Sequence, residues 1–276
     1  MAKDTYNLVQ SRYGGIAKHS LNTQQSKVEG NIARAFGYTA EDLKVLPEKA
    51  NLALSCGNPV GFANLKEGET VLDLGSGSGI DVILAAHRVG RNGQAIGVDM
   101  TDNMIELAKK NIQKAGLSNA RVIEANINCI PLPDSSVDCI ISNCVINLVP
   151  AADKECVFKE IARLLKPGGR VAISDILARQ PLPNTITQSM ALYVGCVAGA
   201  SQIGTYDEYL RQAGFEGVFI VDTKSDLNLY KQSPYLHQSS CCSGACGVDT
   251  TSAIEELDFN EWVGSFQIYA VKAKIA

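Results

Sequence analysis

The segment Val71–Gly79, with the sequence VLDLGSGSG, constrains the fold more than any other part of the chain. An apolar run ends in glycines at alternate positions, Gly75, Gly77 and Gly79, and an amphipathic stretch follows from about residue 79 to 90. Because glycine has no Cβ, such a turn can bend sharply and lets a ligand approach the backbone. The pattern predicts a strand, a ligand-binding turn and a helix.

Strand-like and helix-like segments alternate after this turn. Four further strand-like segments are QAIGVD, ARVIEAN, SVDCIIS and RVAISD, and VFIVD and FQIYAVKA follow nearer the C-terminus. The helix-like segment from 151 to 166 is predicted to end at Pro167, Gly168 and Gly169. This alternation, with right-handed crossovers, predicts an α/β fold with a doubly wound, mostly parallel sheet of seven strands.

The same patterns divide the chain into three parts. Residues 1–67 are predicted to form N-terminal helices and a loop around Cys56, with Thr39 as the N-cap of one helix in a near-capping box. Residues 68–175 are predicted to form the ligand-binding core. Residues 176–276 are predicted to hold the remaining core elements, a helical lid inserted at 176–204, and an irregular segment at 228–258.

Composition excludes several classes of function. Of the 276 residues, 46% are apolar and 20% are charged, which is ordinary for a globular chain. A formal charge of −4 argues against a nucleic-acid binder, and no apolar run approaches the roughly 20 residues of a membrane span. The first ten residues, MAKDTYNLVQ, lack the apolar core of a signal peptide, so a cytoplasmic location is expected. The nine cysteines, an odd number, are then expected to be reduced thiols.

The glycine spacing and two acids indicate the class of ligand. A dinucleotide-binding turn would have its third glycine at position 80, where this chain has Ile80. Asp73 precedes the first glycine by two residues, which suits the ammonium of an amino-acid-bearing ligand better than a pyrophosphate. Asp99 ends the next strand, where an acid can accept both hydroxyls of a ribose, and Met100 could pack on an adenine ring. The alternative is a nucleotide fold that binds NAD, or no ligand.

Three cysteines fall near the predicted ligand-binding edge of the sheet. Cys144 follows the strand SVDCIIS, Cys196 lies in the predicted lid, and Cys56 precedes the first strand. Ligands of doubly wound sheets bind beyond the carboxyl ends of the strands, so Cys144 is predicted to lie beside the cofactor. A single cysteine is most often a small core residue. Three cysteines on loops that converge on one edge favour a functional thiol site.

The turn and its two acids resemble those of class I S-adenosylmethionine-dependent methyltransferases, whose Rossmann-like sheet ends in an antiparallel strand. By this resemblance, the turn holds the methionine part of the cofactor, the acid after the next strand holds the ribose, and the segment after the third strand contacts the adenine edge. The cofactor-binding residues that follow from the resemblance are Asp73, Gly75, Ser76, Gly77, Gly79, Asp99, Met100, Asn126, Ile127 and Asn143.

Four longer segments resemble the arsenite S-adenosylmethionine methyltransferases, in particular their prokaryotic members. They are LSCGNPVGFANLKEGETVLDLGSGSGID, IISNCVINLVP, LLKPGGRVAISDI and ALYVGCVAGA, within residues 48–222. By this resemblance, Cys144 and Cys196 are catalytic ligands of trivalent arsenic. Cys56 is a third catalytic thiol, which binds arsenic or forms a disulfide in the cycle. Some relatives have a further cysteine upstream, whereas no cysteine precedes Cys56 here.

This function implies a cofactor, a substrate and a reductant. The cofactor is S-adenosylmethionine, the substrate is arsenite or its glutathione conjugate, and the reductant is thioredoxin or glutathione. Arsenic(III) is thiophilic and prefers soft sulfur ligands. Its lone pair attacks the methyl carbon, so the protein acts by positioning the reacting atoms. Neither a nucleic acid nor a membrane is expected as a partner.

A second group of thiols lies at Cys241, Cys242 and Cys246, in the sequence CCSGAC. Neighbouring thiols in a loop can chelate a soft ion, so this group is a candidate arsenite-capture site. A metal-binding tail and a dispensable loop are the alternatives.

Two other functions compete with arsenite methylation. A methyltransferase of a small organic acceptor, as in quinone biosynthesis, would not need cysteines both after the fourth strand and in the lid. A non-catalytic thiol protein that sequesters arsenite or a soft metal would not need Asp73 and Asp99 around a glycine-rich turn.

Overall fold

The computed structural model describes the backbone of residues 2–18, 23–187, 196–232 and 257–274, and the side chains of 5–18, 28–187, 196–231 and 257–274. Cys241, Cys242 and Cys246 lie outside the described residues, as does the central part of the predicted lid, 188–195.

Helices cover both faces of one central sheet. The α-helices of the described residues are α1 (Ala2–Lys18), α2 (Thr23–Ala35), α3 (Ala40–Lys44), α4 (Pro59–Phe62), α5 (Ile80–Val89), α6 (Asp102–Lys114), α7 (Lys154–Leu164), α8 (Asn184–Thr187), α9 (Ile203–Gln212) and α10 (Phe259–Trp262). Short 3-10 helices are formed by Ile146–Leu148, Ala151–Asp153 and Leu227–Gln232.

The sheet has seven strands in the order β3-β2-β1-β4-β5-β7-β6. The strands are β1 (Thr70–Leu74), β2 (Gln94–Asp99), β3 (Ala120–Glu124), β4 (Val137–Asn143), β5 (Leu165–Ala178), β6 (Phe215–Asp222) and β7 (Val263–Lys272). Strands β1 to β5 pair with one another in parallel, and β7 is antiparallel to both β5 and β6. The predicted doubly wound, mostly parallel α/β fold of seven strands is therefore confirmed.

The apolar pattern of β1 explains how both faces of the sheet become part of the hydrophobic core. Successive strand residues point to opposite faces, so Val71 packs beneath α5 and α6 while Leu72 packs beneath α7 and α9. A strand buried on both faces has apolar residues on both, and three of the four residues of VLDL are apolar, with Asp73 as the exception. The capping box predicted ahead of α3 is present, because Asp42 N–H donates to Thr39 Oγ1 and Thr39 N–H donates to Asp42 Oδ2, both at 3.0 Å.

Helix α7 ends two residues earlier than the predicted segment, which runs to residue 166. The helix ends at Leu164, and Leu165 already begins β5, so Pro167 to Gly169 lie within the first residues of a strand. The pairing of β4 with β5 shifts register between Leu165 and Arg170, which places these residues in a bulge. Proline disfavours a helical residue before it, so the backbone becomes extended ahead of Pro167 rather than after it.

The bounds predicted for the lid, 176–204, do not hold at either end. Residues 176–178 continue β5, and residues 203 and 204 begin α9. Between them the structure describes α8 and the turn from 196 to 202. Strand β5 continues because β7 pairs with it as far as Ala178, an interaction that the sequence of β5 alone does not reveal.

Arg170 and Glu69 form a buried ion pair that ties the start of β5 to the segment before β1. Arg170 Nη1 and Nη2 donate to the two Glu69 carboxylate oxygens at 2.8 and 2.7 Å, and the guanidinium also donates to the carbonyls of Ala63 and Asn64. Burial alone would raise the pKa of Glu69, but the hydrogen bonds from Arg170 and from Lys66 N–H outweigh burial and lower it. The pair therefore stabilises the fold above the ordinary glutamate pKa of about 4.3, and this contribution is lost as pH falls through the lower folded value.

We expect Glu69→Ala to lower the free energy of unfolding at neutral pH by about 1.5–3 kcal/mol, since it removes the carboxylate partner of a largely buried guanidinium that keeps its bonds to the carbonyls of Ala63 and Asn64. Urea unfolding followed by circular dichroism measures the change. Glu155→Ala is the matched control, because Glu155 pairs with Lys159 on the exposed face of α7 and should contribute little. Equal effects of the two substitutions would contradict this assignment.

Among the described helices, none is both long and apolar enough to cross a membrane.

Candidate active site

A deep cleft lies beyond the carboxyl ends of β1, β2 and β4, where the fold predicts a ligand. Its volume is about 1010 Å³, including the part open to solvent. Nine of the ten residues predicted to bind the cofactor line it: Asp73, Gly75, Ser76, Gly77, Asp99, Met100, Asn126, Ile127 and Asn143. Gly79 is absent from the lining. It lies at the start of α5, where an added Cβ would meet Ala108 Cβ at 3.3 Å, so it serves helix packing.

The glycine-rich turn forms the floor of the cleft. Gly75 has φ of +66°, and an added Cβ would lie 2.3 Å from Val145 Cγ2, so only glycine fits there. Gly77 N–H donates to Asp99 Oδ2 at 2.9 Å, and Thr101 N–H donates to Asp99 Oδ1 at 2.8 Å. Asp99 thus joins the turn after β1 to the end of β2, and each carboxylate oxygen keeps further lone pairs for a ligand.

Three buried acids make the inner end of the cleft attractive to a cation. Burial raises the pKa of Asp73 well above its ordinary value, and the charges of Asp81 and Asp99 raise it further. Burial also raises the pKa of Asp81 to about 6, although hydrogen bonds from Asn143 and Tyr38 oppose this shift. A cationic ligand group beside Asp73 would relieve this repulsion, which fits the ammonium of an amino-acid-bearing cofactor.

The N-terminal helix α1 covers the other side of the cleft, which the sequence did not predict. Tyr6, Val9 and Tyr13 line the cleft from this helix, and Gln10 Nε2 donates to the carbonyl of Met100 at 2.7 Å. These positions recur every three or four residues along α1, as expected for one helix face. That periodicity was the available signal, but it did not indicate what the face covers.

Asn143 lines the cleft, yet its amide mainly holds the loop that contains Cys56. Asn143 Oδ1 accepts from Cys56 N–H at 3.1 Å. Asn143 Nδ2 lies within hydrogen-bonding distance of the carbonyl of Gly57 (2.8 Å), Asp81 Oδ2 (3.0 Å) and the Tyr38 hydroxyl (2.9 Å). The structure therefore links this predicted cofactor residue directly to the thiol site.

We expect Asn143→Ala to raise the alkylation rate of Cys56 by about tenfold or more. Each lost hydrogen bond contributes about 1 kcal/mol net, so the loop should open more often. Mass spectrometry of the Cys56 peptide after timed iodoacetamide treatment measures the rate. Cys139 is also buried, in β4, and should stay unreactive unless the whole protein unfolds. An unchanged Cys56 rate would show that Asn143 does not hold this loop.

The three predicted thiols meet at the end of the cleft. Sγ of Cys56, Sγ of Cys144 and a carboxylate oxygen of Asp175 all lie within 4.8 Å of one another. Cys196 Sγ donates to the carbonyl of Cys144 at 2.8 Å, and its side chain also hydrogen-bonds that of Cys144. Cys144 alone of the three lines the cleft itself, so it is the thiol through which the cluster meets the cleft.

All three thiols are buried and protonated near neutral pH. Burial raises the pKa of Cys56 to about 12 and that of Cys144 well above its ordinary value. The hydrogen bond with Cys144, followed by burial, raises the pKa of Cys196 well above its ordinary value. A ligand that binds these sulfurs must therefore accept or replace their protons.

Backbone geometry sets Cys144 and Cys196 apart from ordinary core cysteines. Both have left-handed backbones, with φ of +58° and +65° respectively. Residues other than glycine seldom adopt this conformation, and it persists where the surrounding structure enforces it. Both thiols are therefore held in place by surrounding contacts.

Asp175 and Tyr13 belong to the thiol site but were not predicted. Asp175 ends the segment RVAISD, so an acid near the carboxyl end of a parallel strand was the available signal. Burial raises its pKa to about 7, while the charge of Lys154 opposes this shift. The Tyr13 side chain hydrogen-bonds that of Cys196, and no local pattern in α1 predicts this contact.

The other described cysteines lie apart from this site. Cys139 is buried within β4, as expected for a small core residue, whereas Cys129 is exposed. Cys156 is exposed on α7.

The chain matches a family model described as a methyltransferase domain over residues 65–214, just over half of its length. It is 40% identical over 232 residues to an arsenite methyltransferase of Halobacterium salinarum, covering 79% of this chain and 59% of the relative. It is 31% identical over 114 residues to a ubiquinone/menaquinone biosynthesis C-methyltransferase of Enterobacter sp. (strain 638), covering 41% of this chain and 45% of the relative.

Among solved structures, the chain is similar to an arsenic(III) S-adenosylmethionine methyltransferase from Chlamydomonas reinhardtii, with a TM-score of 0.58 and 29% identity. This match covers 88% of this chain and 74% of the algal chain. The resemblance to arsenite methyltransferases that the motifs indicated is confirmed by these relatives. Because the matched model spans more than half of the chain and the sheet has the class I order, this chain belongs to the methyltransferase domain family.

Proposed function

We propose that this protein transfers the methyl group of S-adenosylmethionine to trivalent arsenic bound by Cys56, Cys144 and Cys196. The observation that carries the proposal is the cluster of three buried thiols at the end of the cleft. Cys144 belongs both to this cluster and to the lining of the cleft. The chain spans 59% of the length of the Halobacterium relative, so the activity is inferred from the site of this chain rather than transferred.

The lining of the cleft suits each part of this cofactor. Asp73 would accept from the ammonium, Asp99 would accept from the ribose hydroxyls, and Met100 and Ile127 would pack on the adenine. Asn126 would hydrogen-bond the adenine edge. When bound, the cofactor supplies an electrophilic methyl carbon on a sulfonium.

Arsenite can react with the thiols in their protonated state. Each thiol replaces one arsenic hydroxyl, and the thiol proton leaves with that hydroxyl as water, so no thiolate has to persist in the buried site. Arsenite and three thiols therefore give three arsenic–sulfur bonds and three water molecules. Three sulfurs leave arsenic pyramidal, with a free lone pair. The chain's contribution is to aim that lone pair at the cleft through Cys144, which is positional catalysis.

Methyl transfer raises arsenic formally to the pentavalent state. Two cysteine sulfurs can return two electrons to arsenic by leaving it as a disulfide. Thioredoxin or glutathione would then reduce this disulfide by thiol exchange. The cytoplasm, where such reductants keep thiols reduced, is the location that this cycle requires.

A methyltransferase of small organic acceptors is the nearest competitor. The similarity to the quinone-biosynthesis enzyme covers 41% of the chain, whereas that to the Halobacterium arsenite methyltransferase covers 79%. An acceptor without arsenic also leaves the three converging thiols without a role.

Chromatographic speciation of arsenic tests the proposal. Incubation of the protein with arsenite, S-adenosylmethionine and a thiol reductant is expected to yield methylated arsenic. Omitting the cofactor should abolish product. Arsenic that stays bound but unmethylated would favour the sequestering protein, and no bound or methylated arsenic would leave only an organic acceptor.

Cys241, Cys242 and Cys246 are proposed to capture arsenite and pass it to the buried thiols. Deleting residues 239–247 should then raise the arsenite concentration required for half-maximal rate, with the saturated rate nearly intact, because only uniform binding is lost. Initial rates over a range of arsenite concentrations measure both quantities. An equal fall in the saturated rate would place the group in the catalytic cycle and refute a capture role.

A further inference from the structure

We propose that Lys154 is a positioning residue. It fixes residues 196–201, the Cys196 segment, against residues 144–147, the Cys144 segment, and thereby sets the geometry of the arsenic site. The inference rests on the proposed function. Lys154 is the first residue of α7 and is absent from the lining of the cleft, so it would act through other residues.

The ammonium of Lys154 is directed into the protein. The residue is 4% exposed, and its Nζ donates to Ser201 Oγ at 2.9 Å and to the carbonyl of Gly199. Both acceptors lie within five residues of Cys196. Nζ also lies 3.4 Å from Asn147 Oδ1, within the turn that follows Cys144. One cation therefore joins the segments that hold two of the three thiols.

Asn147 extends this connection to Cys196 and Asp175. Its Nδ2 lies 3.3 Å from the carbonyl of Cys196 and 3.0 Å from Asp175 Oδ1, and it also donates to the carbonyl of Ile176. Asn147 is fully buried, so these contacts replace water as the hydrogen-bond partners of its amide. The turn that begins at Cys196 is thus held at the Cys196 carbonyl, the Gly199 carbonyl and the Ser201 hydroxyl.

Such a clamp matters because the described residues 196–202 form turns rather than a regular helix or strand. Cys196 sits in a turn with φ of +65°, a conformation that surrounding contacts must enforce. A buried ammonium is costly, and burial lowers the pKa of Lys154 to about 8 although Asp175 and Cys196 raise it. An apolar side chain of similar length would fill the same space without this cost, but it could not hold the two segments together.

Lys154→Met tests the proposal, since methionine keeps the length and removes the donors. The full-length variant is expected to bind arsenite roughly tenfold to a hundredfold more weakly, because it loses the charge-assisted hydrogen bonds that hold the segment of the arsenic-binding Cys196. Equilibrium dialysis, with arsenic quantified by mass spectrometry, measures the affinity. Calorimetry should give an unchanged affinity for S-adenosylmethionine, a readout that general destabilisation would not leave intact.

Lys159→Met is the matched control, because Lys159 lies on the same helix but pairs with Glu155 on the exposed face. It should bind arsenite as the wild type does. Ser201→Ala removes one acceptor of Lys154 without leaving a charge unpaired, and should weaken arsenite binding in the same direction by about threefold. If Lys154→Met does not fold, Ser201→Ala becomes the variant that tests the positioning role of Lys154.

The outcomes separate this inference from the proposed function. Wild-type affinity for arsenite in folded Lys154→Met, or in Ser201→Ala when Lys154→Met is unfolded, would overturn the positioning role. Equal losses of arsenite and cofactor affinity would also overturn it. Failure of the wild type to bind arsenite would instead overturn the proposed function.

Discussion

Cys144→Ser and Cys196→Ser are each expected to lower methylation of both arsenite and monomethylarsenite by about 100-fold or more. Serine keeps the size of the side chain but offers a hydroxyl, which does not replace a soft sulfur ligand. Arsenic would then be held loosely, and small displacements from the reacting position have effects of this size. Product speciation by chromatography, on both substrates, measures the rates.

Cys56→Ser is expected to have different effects on the methylation of the two substrates. Monomethylarsenite has one valence filled by carbon and needs two sulfurs, whereas arsenite can use three. The variant should therefore lose arsenite methylation and keep methylation of monomethylarsenite. Its placement agrees with this role, since Cys56 is fully buried, does not line the cleft and is held by Asn143.

Cys156→Ser serves as the control for the thiol series, because Cys156 is exposed on α7 away from the cluster. It should behave as the wild type on both substrates. Equal loss of both activities in Cys56→Ser, or either activity retained in Cys144→Ser, would contradict this division among the thiols.

Asp99→Ala is expected to weaken binding of S-adenosylmethionine roughly tenfold to a hundredfold. Each charge-assisted hydrogen bond to the ribose contributes about 1.5–3 kcal/mol. The structure adds a second cause, because the substitution also unpairs the N–H groups of Gly77 and Thr101, which shape the floor of the cleft. Isothermal titration calorimetry with the cofactor measures the change.

Asp102→Ala is the matched control for Asp99→Ala, since Asp102 lies three residues further on, at the exposed start of α6. Its affinity for the cofactor should equal that of the wild type. Unchanged affinity in a folded Asp99→Ala protein would contradict the placement of the ribose at this acid.

The cleft was predictable because its signals are local. The strand, turn and helix around Gly75 and Gly77 lie within 20 consecutive residues, and the turn requires glycine for reasons that the sequence alone displays. Asp99 could be placed because the carboxyl ends of neighbouring parallel strands meet at one edge.

The partners of the thiols were less predictable because they meet only through tertiary packing. Tyr13 reaches Cys196 from a helix more than 180 residues earlier in the sequence, and Asn143 holds a loop 87 positions away. In the sequence, Lys154 is an ordinary polar residue near the start of a helix. Neither periodicity nor spacing shows that this end of the helix is buried. Strand β5 likewise extends because β7 pairs with it.

The most direct test of the account is a single turnover on arsenic that is already bound to the protein. Arsenite is bound and the excess removed, S-adenosylmethionine with a deuterated methyl group is added without external thiol, and quenched samples are analysed by mass spectrometry. The account predicts that each bound arsenic gains one deuterated methyl group, and that Cys144→Ser forms none. Bound arsenic that remains unmethylated while the cofactor is intact, or label found on a protein thiol instead, would contradict it.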